Sequence, residues 1–131
     1  MNADRVVLRN GPFKRLINDG VKVDNWIYLS GQLSVDANGQ TVGENDIAEQ
    51  VRMAYQNVKT TLNSFGADMP HIVEETLFVT DIRNFLSRAD ELFAIRAAAY
   101  GEDPQVAQTL VEVAALGVST SMIEIKCVAR L

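Results

Sequence analysis

The segments IAEQVRMAYQNVKTTLNSFG at residues 47–66 and IVEETLFV at residues 72–79 decide the fold. In the first, one apolar stripe recurs at three- and four-residue steps, which predicts an amphipathic helix. The stripe consists of Ile47, Val51, Ala54, Val58, Leu62 and Phe65. Glu44 and Asp46 precede this helix, where its dipole favours acidic groups, and Gly66 is expected to end it. The second segment is rich in β-branched and apolar residues and predicts a buried strand.

The flanking sequence predicts further strands and a second helix. Short strands are expected at residues 5–9, 21–23, 26–29, 107–115 and 122–130. The second helix is expected to start after Thr80 or Asp81 and to end at Gly101 and Pro104. One sheet with two amphipathic helices indicates a single α+β domain over residues 1–131, with both helices packed on the same sheet face.

Composition excludes several classes of site and partner. The 131 residues carry a net charge of −5 and include one cysteine and one histidine. One cysteine excludes an internal disulfide framework, and one histidine excludes zinc sites that need several imidazoles. The acidic balance argues against nucleic acid as a partner. No apolar run is long enough for a signal peptide or a membrane span, and an unpaired cysteine suits a reducing compartment, so a cytoplasmic location is expected.

Strand alternation divides the sheet into two faces. The set Ile123, Ile125, Cys127 and Ala129 is expected to face the helices, together with Thr109, Val111, Val113 and Ala115. The opposite face is then expected to hold Trp26, Tyr28, Ser30, Gln108, Leu110, Glu112, Met122, Glu124, Lys126 and Val128. That mixed apolar and charged composition is usual where subunits meet, and it predicts a homo-oligomer.

Two places on or beside this second face are candidates for ligand chemistry. Ser30 and Gly31 end a strand, where backbone groups and a hydroxyl can hold a small polar ligand, although their spacing alone favours a simple turn. Glu124 lies on an internal strand, where partial burial would raise its pKa and suit it to proton transfer. The alternative for Glu124 is a structural ion pair, for example with Lys126 or with an arginine of a neighbouring subunit. Glu112 is expected to pair with Lys126 across the sheet. Cys127 is expected to be a packed side chain.

Several of these motifs together resemble the RidA/YjgF family of reactive intermediate/imine deaminases, called "endoribonuclease L-PSP" in older usage. The resemblance is carried by Tyr28-Leu29-Ser30-Gly31-Gln32, Asn57-Val58, residues 73–81, Val111-Glu112-Val113 and Ile123-Glu124-Ile125. It implies a chorismate-mutase-like (YjgF-like) sheet assembled as a homotrimer, with small-molecule clefts between the subunits. Active members hydrolyse a small carboxylate-bearing enamine or imine to a keto acid and ammonia without metal or cofactor. By this resemblance Glu124 places the attacking water, and Ser30 and Gly31 bind substrate.

The sequence departs from the deaminating members at two of the expected substrate-binding positions. They carry an arginine that binds the substrate carboxylate where this chain has Gln108, and commonly a cysteine where it has Leu110. A glutamine amide cannot replace the charge of an arginine that makes two charge-assisted hydrogen bonds. The candidates for a replacing cation are Arg15, Arg96 and Arg130.

Three functions therefore remain open from the sequence. The first is a small-molecule cleft that is not an efficient 2-aminoacrylate deaminase. The second is a specialised enamine or imine deaminase, a cofactor-free hydrolase, in a catabolic pathway. The third is a non-catalytic ligand-binding or chaperone-like protein. Ribonuclease activity is disfavoured by the acidic charge.

Overall fold

The computed structural model describes residues 4–131; residues 1–3 of the expected single domain lie outside the described residues. Seven strands form one sheet: β1 (Arg5–Leu8), β2 (Gly20–Val23), β3 (Trp26–Leu29), β4 (Gln32–Leu33), β5 (Ile72–Val79), β6 (Ala107–Glu112) and β7 (Ile123–Arg130). Three α-helices accompany them: α1 (Ile47–Ser64), α2 (Ile82–Ser87) and α3 (Ala89–Tyr100). The α+β class is confirmed, with a two-residue strand, β4, that the sequence pattern did not predict.

The sheet is organised around β7. The strand order is β1-β2-β3-β7-β5-β6, and β4 pairs with β7 beyond the end of β3. Only β5 and β6 pair in parallel among these strands; the other pairs are antiparallel. Because β6 pairs on one side only, it forms an edge of the sheet within the described chain.

Helix α1 covers one face of the sheet as its apolar stripe predicted. Asp46 is its N-cap and accepts a hydrogen bond from the Glu49 backbone N–H, while Gly66, at φ +77°, follows its end. Its stripe is buried against the apolar set of β7, and Ile123, Ile125, Cys127 and Ala129 are all fully buried. Cys127 is therefore a packed core side chain, as predicted, and its burial raises the pKa of the thiol.

The predicted second helix is two helices. Arg88 leaves the helical region, at φ −118° and ψ 24°, and so separates α2 from α3. Asp81 is the N-cap of α2 and accepts from the Asn84 backbone N–H, and α3 ends at Gly101, at φ +79°. The expectation of two helices is therefore corrected to three.

Candidate functional site

The end of β3 is tied to the segment that precedes β2. The Ser30 hydroxyl donates to the Asn18 carbonyl oxygen at 2.6 Å, and the Ser30 backbone N–H donates to the Asp19 carbonyl oxygen at 2.9 Å. The Gln32 side-chain amide donates to the Ser30 carbonyl oxygen at 3.0 Å. The strand end is thus a rigid corner, and the Ser30 hydroxyl retains only its acceptor capacity for a ligand.

Gly31 and Glu124 are brought together at this corner. A Cβ placed on Gly31 would lie 2.5 Å from the Glu124 carboxyl carbon, so the carboxyl group packs directly on the glycine backbone. Burial raises the pKa of Glu124, with Lys126 acting in the opposite direction. Within residues 4–131, no hydrogen bond to the Glu124 carboxyl group is formed. The carboxyl group is therefore partly desolvated and available to a ligand or water.

Lys126 and Glu112 do not form the ion pair that the sequence suggested. Lys126 donates to the Leu29 carbonyl oxygen at 2.7 Å. The Glu112 carboxylate accepts from the Ile82 backbone N–H at 3.0 Å, at the first residue of α2. The reason is register, because Glu112 aligns with Val79 rather than with the strand position beside Lys126.

Gln108 and Leu110 lie on the helix-facing side of β6, so the face predicted for them is wrong. In the β5–β6 register, Gln108 aligns with Glu75 and Leu110 with the buried Leu77. Side chains aligned across neighbouring strands share a face, and Leu110 packs against the core accordingly. Glu124 projects from the other face, beside Phe78. Within one chain the predicted substrate-binding positions on β6 therefore do not meet Glu124.

The Gln108 amide instead belongs to a buried polar cluster around Glu75, which we call the Glu75 cluster. Glu75 is fully buried and accepts four hydrogen bonds. The donors are the Tyr55 hydroxyl (2.9 Å), the Tyr100 hydroxyl (2.7 Å), Arg96 Nε (2.6 Å) and Gln108 Nε2 (2.8 Å). All four side-chain donors reach one carboxylate, so its charge is both paired and hydrogen-bonded.

Sequence reasoning missed the Glu75 cluster, although one signal pointed to it. Glu75 shares its alternation set with Leu77 and Val79, so a carboxylate stands where the strand pattern predicts a buried side chain. Burial and the Glu75 charge raise the pKa values of both tyrosine hydroxyls in the cluster far above the ordinary range. Both phenols therefore act as hydrogen-bond donors throughout the physiological pH range.

The candidate cations occupy different places. Arg96 joins the Glu75 cluster, and its guanidinium lies 5.6 Å from the ring centroids of both Phe93 and Tyr100. Arg130 instead lies over the Trp26 ring at 5.8 Å. Of these two arginines, Arg96 is the one that shares a hydrogen-bond acceptor with Gln108.

A cavity of about 350 Å³ opens on the helix side of the corner at Ser30 and Gly31. It lies between α1 and the loop at residues 10–17, and both corner residues line it together with Phe13, Asp19, Met53 and Asn57. Asn57 fixes the strand beside it by donating to the carbonyl oxygens of Leu33 and Val35. Glu124 touches Gly31 but is not among the cavity-lining residues.

Two other features bear on the type of site. Over residues 4–131, no group of three or more His, Cys, Asp or Glu side chains has the arrangement of a metal site. No helix in that part of the chain has the length and apolarity needed to cross a membrane.

Comparisons with known proteins place this architecture. The model of the family described as endoribonuclease L-PSP matches residues 11–131. A RutC family protein of Pyrococcus abyssi is 28% identical over 106 residues, covering 81% of this chain and 76% of that protein. The 2-iminobutanoate/2-iminopropanoate deaminase of Bos taurus is 37% identical over 76 residues, covering 57% of this chain and 52% of that protein. The crystal structure of a Rid-family protein of unknown function from Yersinia pestis superposes with a TM-score of 0.84 at 26% identity, covering 98% of this chain and all of that one. The chain belongs to the endoribonuclease L-PSP family, also called the RidA/YjgF family.

Proposed function

We propose that this chain binds a small molecule at the corner formed by Ser30, Gly31 and Glu124 and does not hydrolyse 2-aminoacrylate efficiently. The observation that carries the proposal is the Glu124 carboxyl group, which is partly desolvated and packed on Gly31. A carboxyl group whose pKa is raised accepts a proton more readily than an ordinary carboxylate and can return it to a reacting group. Such a group suits a ligand or water placed at the strand end.

A second candidate function, hydrolysis of a specialised imine or enamine, follows from the same carboxyl group. Glu124 would accept a proton from water as the water oxygen bonds to the C=N carbon. The proton then passes to nitrogen and gives a carbinolamine, which an enamine reaches through its imine tautomer. Glu124 next carries the hydroxyl proton of the carbinolamine to nitrogen, the C–N bond breaks, and ammonia leaves as the carbonyl forms. All atoms come from substrate and water, so this chemistry requires no oxidant or cofactor. The bovine relative whose name includes 2-iminobutanoate and 2-iminopropanoate supports this reaction class.

The expected inefficiency toward 2-aminoacrylate rests on the environment of Gln108. Its amide already donates to Glu75, and the neighbouring Arg96 is paired with the same carboxylate. The cluster therefore contributes no net positive charge for a substrate carboxylate. An arginine clamp makes charge-assisted hydrogen bonds worth roughly 1.5–3 kcal/mol each, which Gln108 cannot supply.

The same geometry supports a cleft between subunits of a homotrimer. Gln108 and Leu110 face the helices, whereas Glu124 faces the opposite side of the sheet. A cleft that uses both Gln108 or Leu110 and Glu124 needs a second copy of the chain. Trp26 and Tyr28 remain 40% and 46% exposed on the Glu124 side, and their burial between copies would be favourable.

The test is ammonia release from a panel of imines generated in the assay, with 2-aminoacrylate beside imines that lack a carboxylate. We expect no acceleration of 2-aminoacrylate hydrolysis, and Glu124→Gln should abolish any turnover found elsewhere in the panel. Glu112→Gln is the matched control, because it removes the same charge from the sheet and its amide oxygen can still accept from Ile82. Rapid hydrolysis of 2-aminoacrylate by the unaltered protein would overturn the proposal. Light scattering tests the trimer, and a monomeric mass at micromolar concentration would overturn it.

A further inference from the structure

The cavity beside Ser30 and Gly31 is closed on one side by a loop that the fold holds in place. Arg9 directly follows β1, and its Nε donates to the Lys14 carbonyl oxygen at 2.6 Å, which ties the start of the loop to its second half. Asp19 Oδ2 accepts from the backbone N–H groups of Asn10 at 2.7 Å and Gly11 at 2.9 Å. The loop at residues 10–17, which we call the roof loop, and the Asp19 carboxylate therefore hold each other in place.

Gly11 is required for this arrangement. A Cβ at Gly11 would overlap Asp19 Oδ1, so the carboxylate lies against the glycine backbone. Oδ1 receives no hydrogen bond from any described residue, although Asp19 is only partly exposed. One oxygen of a half-buried carboxylate is thus left for an external donor.

The charges that line the cavity have one sign. Its charged lining residues are Asp19 and Asp36, and no lysine, arginine or histidine among residues 4–131 lines it. Asp36 is exposed at the rim, and its Oδ1 accepts from the backbone N–H groups of Asn38 and Gln40. Lys14 and Arg15 belong to the roof loop but are not cavity-lining residues. A cation is therefore favoured in this cavity over an anion of the same size.

The apolar part of the lining fits a short hydrocarbon body. Phe13 and Met53 line the cavity together with Leu33. The Phe13 ring is packed close to Gly39, where an added Cβ would lie 3.3 Å from the ring. An aromatic face held in this way also attracts an organic cation. At about 350 Å³, the volume suits a small metabolite rather than a peptide.

We propose that this cavity binds a small organic ammonium or iminium ion, with the cationic nitrogen on Asp19 Oδ1 and the apolar body against Phe13 and Met53. This inference rests on the proposed function, because Ser30 and Gly31 belong to both the cavity and the corner that holds Glu124. It assigns recognition of the ligand to its nitrogen rather than to a carboxylate.

The test is an NMR titration of the full chain with three probes of matched size: n-butylammonium, butyramide and butyrate. We expect n-butylammonium to shift the backbone amide signals of Asn10, Gly11 and Gly31 and to bind at least about tenfold more tightly than butyramide, since a charged partner strengthens the hydrogen bond. Butyrate should not bind. Asp19→Asn should remove the preference for the ammonium ion while leaving butyramide binding unchanged.

Asp19→Asn is a suitable variant because the asparagine oxygen can still accept from Asn10 and Gly11, which keeps the roof loop in place. Asp24→Asn is the matched control, because it removes one exposed negative charge outside the cavity, at a turn position with φ +54° that asparagine tolerates, and it should keep the ammonium preference. Three results would overturn the inference: equal affinity for n-butylammonium and butyramide, equal loss of the ammonium preference in both variants, or no binding of n-butylammonium.

The ammonia-release assay separates this inference from the proposed function. Absence of n-butylammonium binding alongside Glu124-dependent imine hydrolysis would overturn the inference alone. Selective n-butylammonium binding alongside rapid hydrolysis of 2-aminoacrylate would overturn the proposed function alone.

Discussion

Removal of the Arg96 guanidinium is expected to expose how strongly the Glu75 cluster depends on charge pairing. Glu75 is fully buried, and the Arg96 side chain is only 14% exposed. Breaking a buried pair by removing one partner costs about 3–5 kcal/mol, because the other charge is left uncompensated. Tyr55, Tyr100 and Gln108 would still donate to Glu75. We therefore expect Arg96→Gln to lower the free energy of unfolding by about 3 kcal/mol, the lower end of that range.

Urea unfolding at one protomer concentration measures this effect. With a slope of about 2 kcal/mol/M, a loss of about 3 kcal/mol lowers the midpoint by about 1.5 M. The concentration must be held constant because subunit association also shifts the midpoint. The double variant Glu75→Gln with Arg96→Gln removes both charges and should be more stable than Arg96→Gln alone.

The control is Arg88→Gln, which breaks an exposed ion pair. Arg88 and Glu91 lie 2.7 Å apart, with side chains 38% and 52% exposed. Exposed pairs of this kind contribute about 1 kcal/mol or less. If Arg96→Gln costs no more than Arg88→Gln, or if the double variant is the least stable of all, the description of Glu75 as a charge that needs Arg96 is wrong.

Three further predictions concern the corner and β6. Gly31→Ala should lower the unfolding free energy by about 1–3 kcal/mol, because the added methyl group would overlap the Glu124 carboxyl group. Chemical denaturation of Gly31→Ala, with and without Glu124→Ala, tests this prediction. Adding Glu124→Ala should recover stability, because it removes the overlapping carboxyl group. Burial raises the pKa of Glu124, so the folded chain holds this proton more tightly than the unfolded chain, and the stability from this group is lost as pH rises through the folded pKa. Glu124→Gln should therefore gain stability relative to the unaltered protein as the pH rises above the ordinary glutamate pKa of about 4.3, and a difference in unfolding free energy that stays constant with pH would contradict this. Gln108→Arg should not create 2-aminoacrylate hydrolysis, because the new guanidinium would lie beside Glu75. Ammonia release well above that of the unaltered protein would contradict this and would show that position 108 reaches the substrate.

The regular elements could be predicted because their signals are local. The stripe of α1 repeats within 18 residues, and Asp46 and Gly66 mark its ends through contacts a few residues away. Strands β3 and β5 were predicted with the observed bounds from alternation and β-branched composition. The break at Arg88 was not predicted, because the apolar spacing continues across it.

The faces of the strands were less predictable than their positions. For β7, one alternation set is wholly apolar, so hydrophobicity alone assigned it to the core. For β6 both sets mix polar and apolar residues, and alternation cannot tell which set faces the helices. Pairing with β5 settles this point, since Gln108 aligns with Glu75 and therefore faces α1 and α3.

The sequence by itself determined the α+β class, the main helices and strands, the apolar core set of β7 and the motifs that Ser30, Gly31 and Glu124 share with the family. Only the tertiary structure decided which of these side chains meet. Gly31 contacts Glu124, and Gln108 reaches Glu75 across 33 residues of sequence. The physical reason is that helix and strand formation follow from near-neighbour periodicity, whereas these contacts depend on the register of strands that are far apart along the chain.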